Sequence, residues 1–268
     1  MSLFGGGVLI PAPERPMPRT CPTRASPLDA PSKPYTLTII LLTLGLGWCL
    51  LGVPALAASK ADRTSGSAER SSRELPKRFE RPPYSWMSLS IGYPNAGRQV
   101  RAKHLKDTRY LHVKSNSREK TYGHPALVLM LGRSAREIGR LARGSIMMVG
   151  DLSAKSGGQL QGHVSHQSGR DADVGFYMTD RDGRPVEPDR FIAFGSDGLA
   201  KDGSGYVFDD WRNWLLVRAW VRDKRAGISH IFVSAPLRRR LLDYAHSHKP
   251  EAKYVDELMV LLKQPDAA

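Results

Sequence analysis

The chain has 268 residues, 41% of them hydrophobic, with a formal net charge of +14 and an isoelectric point near 10.0. That is enough apolar material for one or two packed domains, and the basic excess implies an anionic partner such as nucleic acid, anionic lipid or an acidic polymer. No zinc-finger spacing, heptad after a basic region or aromatic RNP pattern accompanies the charge, so nucleic acid is not the expected partner.

Residues 1–35 are proline-rich and carry Arg15, Arg19, Arg24 and Lys33. An uncharged apolar run follows at residues 37–53, then Pro54-Ala55-Leu56-Ala57, with small residues at an A-x-A exit. A basic region, an apolar core and a small-residue exit form a secretory signal peptide. A membrane anchor through residues 37–53 is the alternative, because the run is just long enough to span. Both readings export the rest of the chain. The two cysteines, Cys21 and Cys49, both fall in this leader. The remainder therefore has no cysteine nucleophile or thiolate metal site. With four basic and two acidic side chains in residues 1–58, residues 59–268 keep a net charge of +12.

Residues 59–81 are polar and charged and read as a flexible linker. From residue 82 to 268 the pattern is that of a folded domain. Residues 110–113 read as a short strand. Residues 125–142, with Leu127, Leu131, Ile138 and Leu141 at near-helical spacing, read as a helix. Residues 145–149 read as a buried strand ending at Gly150-Asp151, and residues 153–162 as a Gly- and Ser-rich loop. Residues 171–177 alternate as a strand does, which puts Asp171 and Asp173 on one face. Residues 211–221 read as a helix, 230–234 as a strand, 235–248 as a basic helix and 251–262 as a final helix. The expected fold class is α+β, one small antiparallel sheet with flanking helices.

The chemistry concentrates in Gly162-His163-Val164-Ser165-His166-Gln167-Ser168-Gly169-Arg170-Asp171-Ala172-Asp173. Imidazole and carboxylate are a natural ligand set for catalytic zinc, which takes three protein ligands and leaves a position for water. His166 and Asp173, in H-x6-D spacing, are the candidate metal ligands. A surface-loop imidazole and a turn carboxylate are the bland alternative. His163 and Asp171 are candidate orienting groups, or alternative ligands in exchange with the first pair. Ser153, Ser165 and Ser168 carry no nucleophile-elbow signature. Asp151, at the end of an apolar strand, faces a cleft or caps a turn. His246-Ser247-His248 is the only H-x-H run. It ends a basic helix, where positions i and i+2 diverge, so His248 is a candidate third ligand against a helix-end role favoured by the dipole. His230 begins an apolar strand, and His104, His112 and His124 lack partner spacing.

Val149-Gly150-Asp151-Leu152-Ser153, followed by the run from Gly162 through Val174-Gly175-Phe176-Tyr177, resembles the penicillin-insensitive murein endopeptidases. These are zinc peptidases grouped with lysostaphin, D-Ala-D-Ala peptidases and hedgehog-like proteins. Arg212-Asn213-Trp214, His230-Ile231-Phe232-Val233-Ser234 and Gln264-Pro265 are similar to later blocks of that family. The resemblance implies a zinc-dependent endopeptidase that hydrolyses peptide crosslinks of peptidoglycan in the periplasm, with sheet and helices arranged around a zinc cleft and with His166 and Asp173 as two ligands. It also implies an H-x-H strand supplying a third ligand and a catalytic histidine. That strand is expected after Gln264-Pro265 and is not found, so a domain incomplete at its C-terminus is expected. The alternative function is a non-catalytic peptidoglycan-binding or degenerate member of the same family.

Overall fold

A computed structural model describes residues 37–40, 77–187 and 189–263. The remaining residues of the leader and of the 59–81 linker, and Gln264-Pro265, lie outside the described residues. Of the apolar run at 37–53, only β1 (Leu37–Ile40) is described. No helix among the described residues is long and apolar enough to cross a membrane.

Short strands precede the first long helix: β2 (Leu89–Tyr93), β3 (Ala96–Val100), β4 (Lys103–His104), β5 (Leu111–Val113) and β6 (Tyr122–Gly123). β2 and β3 form an antiparallel hairpin that places Tyr93 opposite Ala96 across Pro94-Asn95. Helix α1 (Pro125–Leu141) begins where the sequence reading put it. Pro125 stands in the first turn, where its missing N–H costs nothing. His124 caps the helix, with its Nδ1 accepting the Ala126 N–H at 3.3 Å. Leu127, Leu131 and Ile138 are fully buried, as a 3.6-residue period requires, whereas Leu141 at the last turn is 53% exposed.

β7 (Met147–Val149) lies parallel to β5. β8 (Met178–Thr179), β9 (Pro185–Val186) and β10 (Val207–Phe208) make a second, antiparallel sheet in the order β10-β8-β9. Helix α2 (Asp210–Arg222) packs on α1, and the Trp220 indole N–H donates to Ser134 Oγ at 3.1 Å. β11 (Ile228–Phe232) is flanked by β1 and by β12 (Leu262–Lys263), both parallel to it. Helix α3 (Ala235–Ser247), a 3₁₀ turn (Lys249–Tyr254) and α4 (Val255–Leu261) lead from β11 to β12. Glu251 ties this end to α2, accepting from the Trp214 indole at 3.0 Å and from Arg218 at 2.6 Å.

The class is α+β, with the strands of the described residues shared among five small sheets rather than gathered in one, and with two of those five parallel. The expected strand at 171–177 is reduced to bridge positions. The Asp173 N–H donates to Asp151 O (2.9 Å), and Asp173 O accepts from Gly150 N (2.8 Å). Gly175 N reaches Met148 O at 2.8 Å. The segment is therefore extended and bonded to the end of β7, and all its residues are buried. Its far end is fastened by α2. The Asn213 side chain accepts from Tyr177 N (2.9 Å) and donates to Tyr177 O (2.7 Å). Buried Arg212 donates to Met178 O at 2.6 Å.

Candidate metal centre

Two stretches of chain build the site: the loop from Gly162 to Arg170 and the extended segment that follows it. The loop is pinned on both sides. Gln167 N donates to Pro94 O (2.8 Å), Gln167 O accepts from Gly158 N (2.9 Å), and Gly169 O accepts from His124 N (2.7 Å). Ser90 Oγ donates to Ser168 O at 2.7 Å, and Arg170 reaches back to Ser90 O at 2.6 Å. Gly169 has φ +68° and packs so closely that a Cβ there would stand 1.9 Å from Gln99 Oε1. Only glycine meets both demands.

His166 itself has a left-handed backbone, φ 67°, a strained conformation for a residue with a Cβ. Asp171 supports it, with Oδ2 accepting the His166 N–H at 2.9 Å and standing 2.9 Å from the ring Nδ1. The other ring nitrogen, Nε2, lies 3.3 Å from Asp173 Oδ1. His166, Asp171 and Asp173 are all buried. The His163 ring meets that of His166 edge-on, with centroids 5.2 Å apart. His163 Nε2 is 2.8 Å from Asp151 Oδ2, which Lys120 Nζ approaches to 3.3 Å. His163 and Lys120 are partly exposed, so the open side of the site lies at these two residues.

Electrostatics follow from this arrangement. Burial pulls the His166 imidazole down, but the Asp171 and Asp173 carboxylates outweigh it and raise the group to about 10. Burial raises Asp173, with His166 opposing. His163 is lowered by burial and by the His166 charge. Burial alone would raise Asp151, but the Ser117 hydroxyl, Lys120 and His163 hold it below the ordinary carboxylate value. The carboxylates thus demand positive charge beside His166.

His163, His166 and Asp173 each offer one ligand atom, all within 4.8 Å of one another. Two nitrogens and one oxygen match the donor set of catalytic zinc. The His166–Asp173 separation of 3.3 Å also fits. A tetrahedral site with bonds of about 2.0–2.1 Å has an edge of about 3.3 Å. Asp173 Oδ1 is buried without a hydrogen-bond partner, a condition that a cation relieves. The residues fit the ion.

The structure brings four of the five residues singled out from sequence into one cluster and leaves the fifth outside it. His248 caps the end of α3, stacked on Tyr244 at 4.0 Å, with its Nδ1 2.8 Å from Tyr244 O. His230 stacks on Phe232 in β11. Among the described residues the three donors are gathered without an H-x-H strand. Sequence reasoning did not assign Asp151 or Lys120 to the cluster. The Asp151 position at the end of an apolar strand, read as facing a cleft or capping a turn, was the available signal.

Such a cluster, set on a small α+β frame, defines a candidate metallohydrolase site. Residues 90–258 match the family model described as penicillin-insensitive murein endopeptidase, and the chain belongs to that family. Curated penicillin-insensitive murein endopeptidases of Escherichia coli strains 536, O1:K1 and SMS-3-5 are each 27% identical to it over 163 residues. Each match covers 59% of this chain and 58% of the relative's length.

Proposed function

We propose that this chain is a zinc-dependent endopeptidase of peptidoglycan peptide crosslinks, with zinc held by His163, His166 and Asp173. The observation that carries this reading is the His163/His166/Asp173 group, found in a murein endopeptidase family member. When bound, zinc supplies Lewis-acid polarisation of the scissile carbonyl and of the attacking water. Every other role falls to the chain. Asp171 faces Nδ1 of His166 and so presents Nε2 toward Asp173, the carboxylate–imidazole support common behind metal ligands. Asp151 orients His163 in the same way, and Lys120 keeps Asp151 anionic. His163 and Lys120 border the side from which a peptide enters, while burial of the others excludes bulk water from the ligand atoms.

The reading carries a periplasmic location, because peptidoglycan lies outside the cytoplasmic membrane. Residues 1–58 then serve as leader or anchor, 59–81 as tether and 82–268 as the catalytic domain. The test is digestion of purified crosslinked muropeptide dimers. Conversion to monomers, stopped by a chelator and restored by zinc, is expected. Release of terminal D-alanine alone would replace the endopeptidase reading with a carboxypeptidase. Dimers left intact at saturating zinc would overturn the assignment.

A further inference from the structure

The solvent face of α1 carries a row of arginines that the metal centre does not use. Leu129, Arg133, Arg136 and Arg140 follow at steps of four, three and four residues, which puts them on one stripe of the helix. Leu129, Arg136 and Arg140 are exposed. Arg133 pairs with Asp223 at 2.6 Å, and Arg222 of α2 with Glu137 at 3.3 Å. Arg136, Arg140 and Arg225 make no ion pair among the described residues. Two depressions of about 360 and 300 Å³ adjoin along this face and share Arg133 and Glu137. Their walls hold six basic side chains against two carboxylates, Glu137 and Asp223.

The row is unfavourable for the free fold. Like charges three and four residues apart repel across a helix face, and Glu137 is the one acidic residue in α1. The helix dipole favours a cation in the last turn, which accounts for Arg140 but not for Arg133 or Arg136. The row therefore suits a partner that brings negative charge, and the planar guanidinium fork matches phosphate oxygens two at a time. Two leucines narrow the partner further. Leu129 begins the row at 47% exposed, and Leu141, in the wall of one depression, ends the helix at 53%. A polymer of carboxylates has no use for them, whereas a bilayer offers phosphate at its surface and apolar chains just beneath.

We infer that the outer face of α1 docks on the surface of an anionic phospholipid bilayer, with Arg136 and Arg140 on headgroup phosphates and Leu129 and Leu141 entering the interface at its two ends. The N-terminus of α1 lies at the metal centre, where His124 N bonds to Gly169 O. At 1.5 Å per residue, Arg133 to Arg140 lie about 14–24 Å along the helix axis from His124. A docked chain thus leaves the loop end of α1 uncovered.

The experiment is co-sedimentation of the full chain with vesicles of phosphatidylcholine alone and of equimolar phosphatidylcholine and phosphatidylglycerol. Binding of soluble inorganic polyphosphate is measured beside it by calorimetry. Arg136→Gln/Arg140→Gln is compared with Lys106→Gln/Lys201→Gln, an equal charge change at exposed residues outside both depressions. The parent chain should bind the anionic vesicles more tightly than the neutral ones. The arginine variant should lose about tenfold or more in affinity for the anionic vesicles, the scale of two basic side chains at such a surface. It should melt no lower than the parent, because repulsion along the row is relieved. The lysine variant should lose far less. Leu129→Gln/Leu141→Gln should weaken vesicle binding and leave polyphosphate binding unchanged. Equal losses in the arginine and lysine variants would overturn the assignment, since diffuse charge would then explain the binding. Vesicle binding untouched by the leucine variant would replace the bilayer with a soluble phosphate polymer. A parent chain with no preference for anionic vesicles would also overturn it. None of these outcomes bears on zinc or on muropeptide cleavage, so the proposed function stands or falls separately.

Discussion

Asp171 carries more of the candidate site than its absence from the proposed ligand set suggests. One of its oxygens, Oδ2, takes the His166 main-chain N–H and faces the ring Nδ1. It thereby stabilises a left-handed backbone and fixes the imidazole that faces Asp173. Asp171→Asn keeps the shape but weakens the acceptor. It should lower zinc affinity by about 10–100-fold, measured by competition with a chromophoric chelator, with little change in fold by circular dichroism. An unchanged affinity would mean that Asp171 supports the loop alone. The four residues closest to this chemistry were legible in sequence because they fall within one short run, Gly162 to Asp173. The orienting role of Asp151 was not legible. It depends on the end of β7 lying beside Asp173, a long-range pairing that spacing does not encode.

At the scale of the element, α1 was legible from its apolar period. The β2–β3 hairpin went unread. Its strands hold Gly92, Gly97 and few β-branched residues, so Pro94-Asn95 was the only local signal. The parallel pairing of β11 with β12 joins segments far apart in sequence, and no local pattern reports it. The α1 cap yields a prediction of its own. The His124 imidazole must be neutral to accept the Ala126 N–H, and burial, aided by Arg170, holds it below 6.5. A histidine with a depressed folded-state value stabilises the fold above about pH 6.5 and loses that contribution as pH falls, because the unfolded chain then takes the proton more readily. His124→Asn keeps a cap acceptor without the titration. Its melting temperature should therefore fall less than the parent's between pH 7 and pH 5. Parallel curves would mean that His124 contributes no pH dependence.

Over the whole molecule, residues 59–268 carry most of the +14 charge, and the proposed substrate is a polymer bearing carboxylates. Long-range attraction of this kind is screened as the Debye length shrinks from about 10 Å at 0.1 M salt to about 3 Å at 1 M. Retention of the chain on isolated sacculi should fall steeply across that range, measured by co-sedimentation. Salt-insensitive retention would mean that short-range contacts dominate and that the charge serves another partner. The family frame supplies the rest of the account. Small sheets and two packed helices hold one loop rigid enough to converge two imidazoles and a carboxylate on one point.

A three-ligand zinc site at this point has a direct test. The most direct measurement is zinc content of the purified chain after exhaustive dialysis, compared with His163→Ala and His166→Ala. A single three-ligand site implies about one zinc per parent chain and loss of tight binding in both variants. Full zinc retention by His163→Ala would show that another residue supplies the third ligand. No zinc in the parent chain would contradict the site altogether.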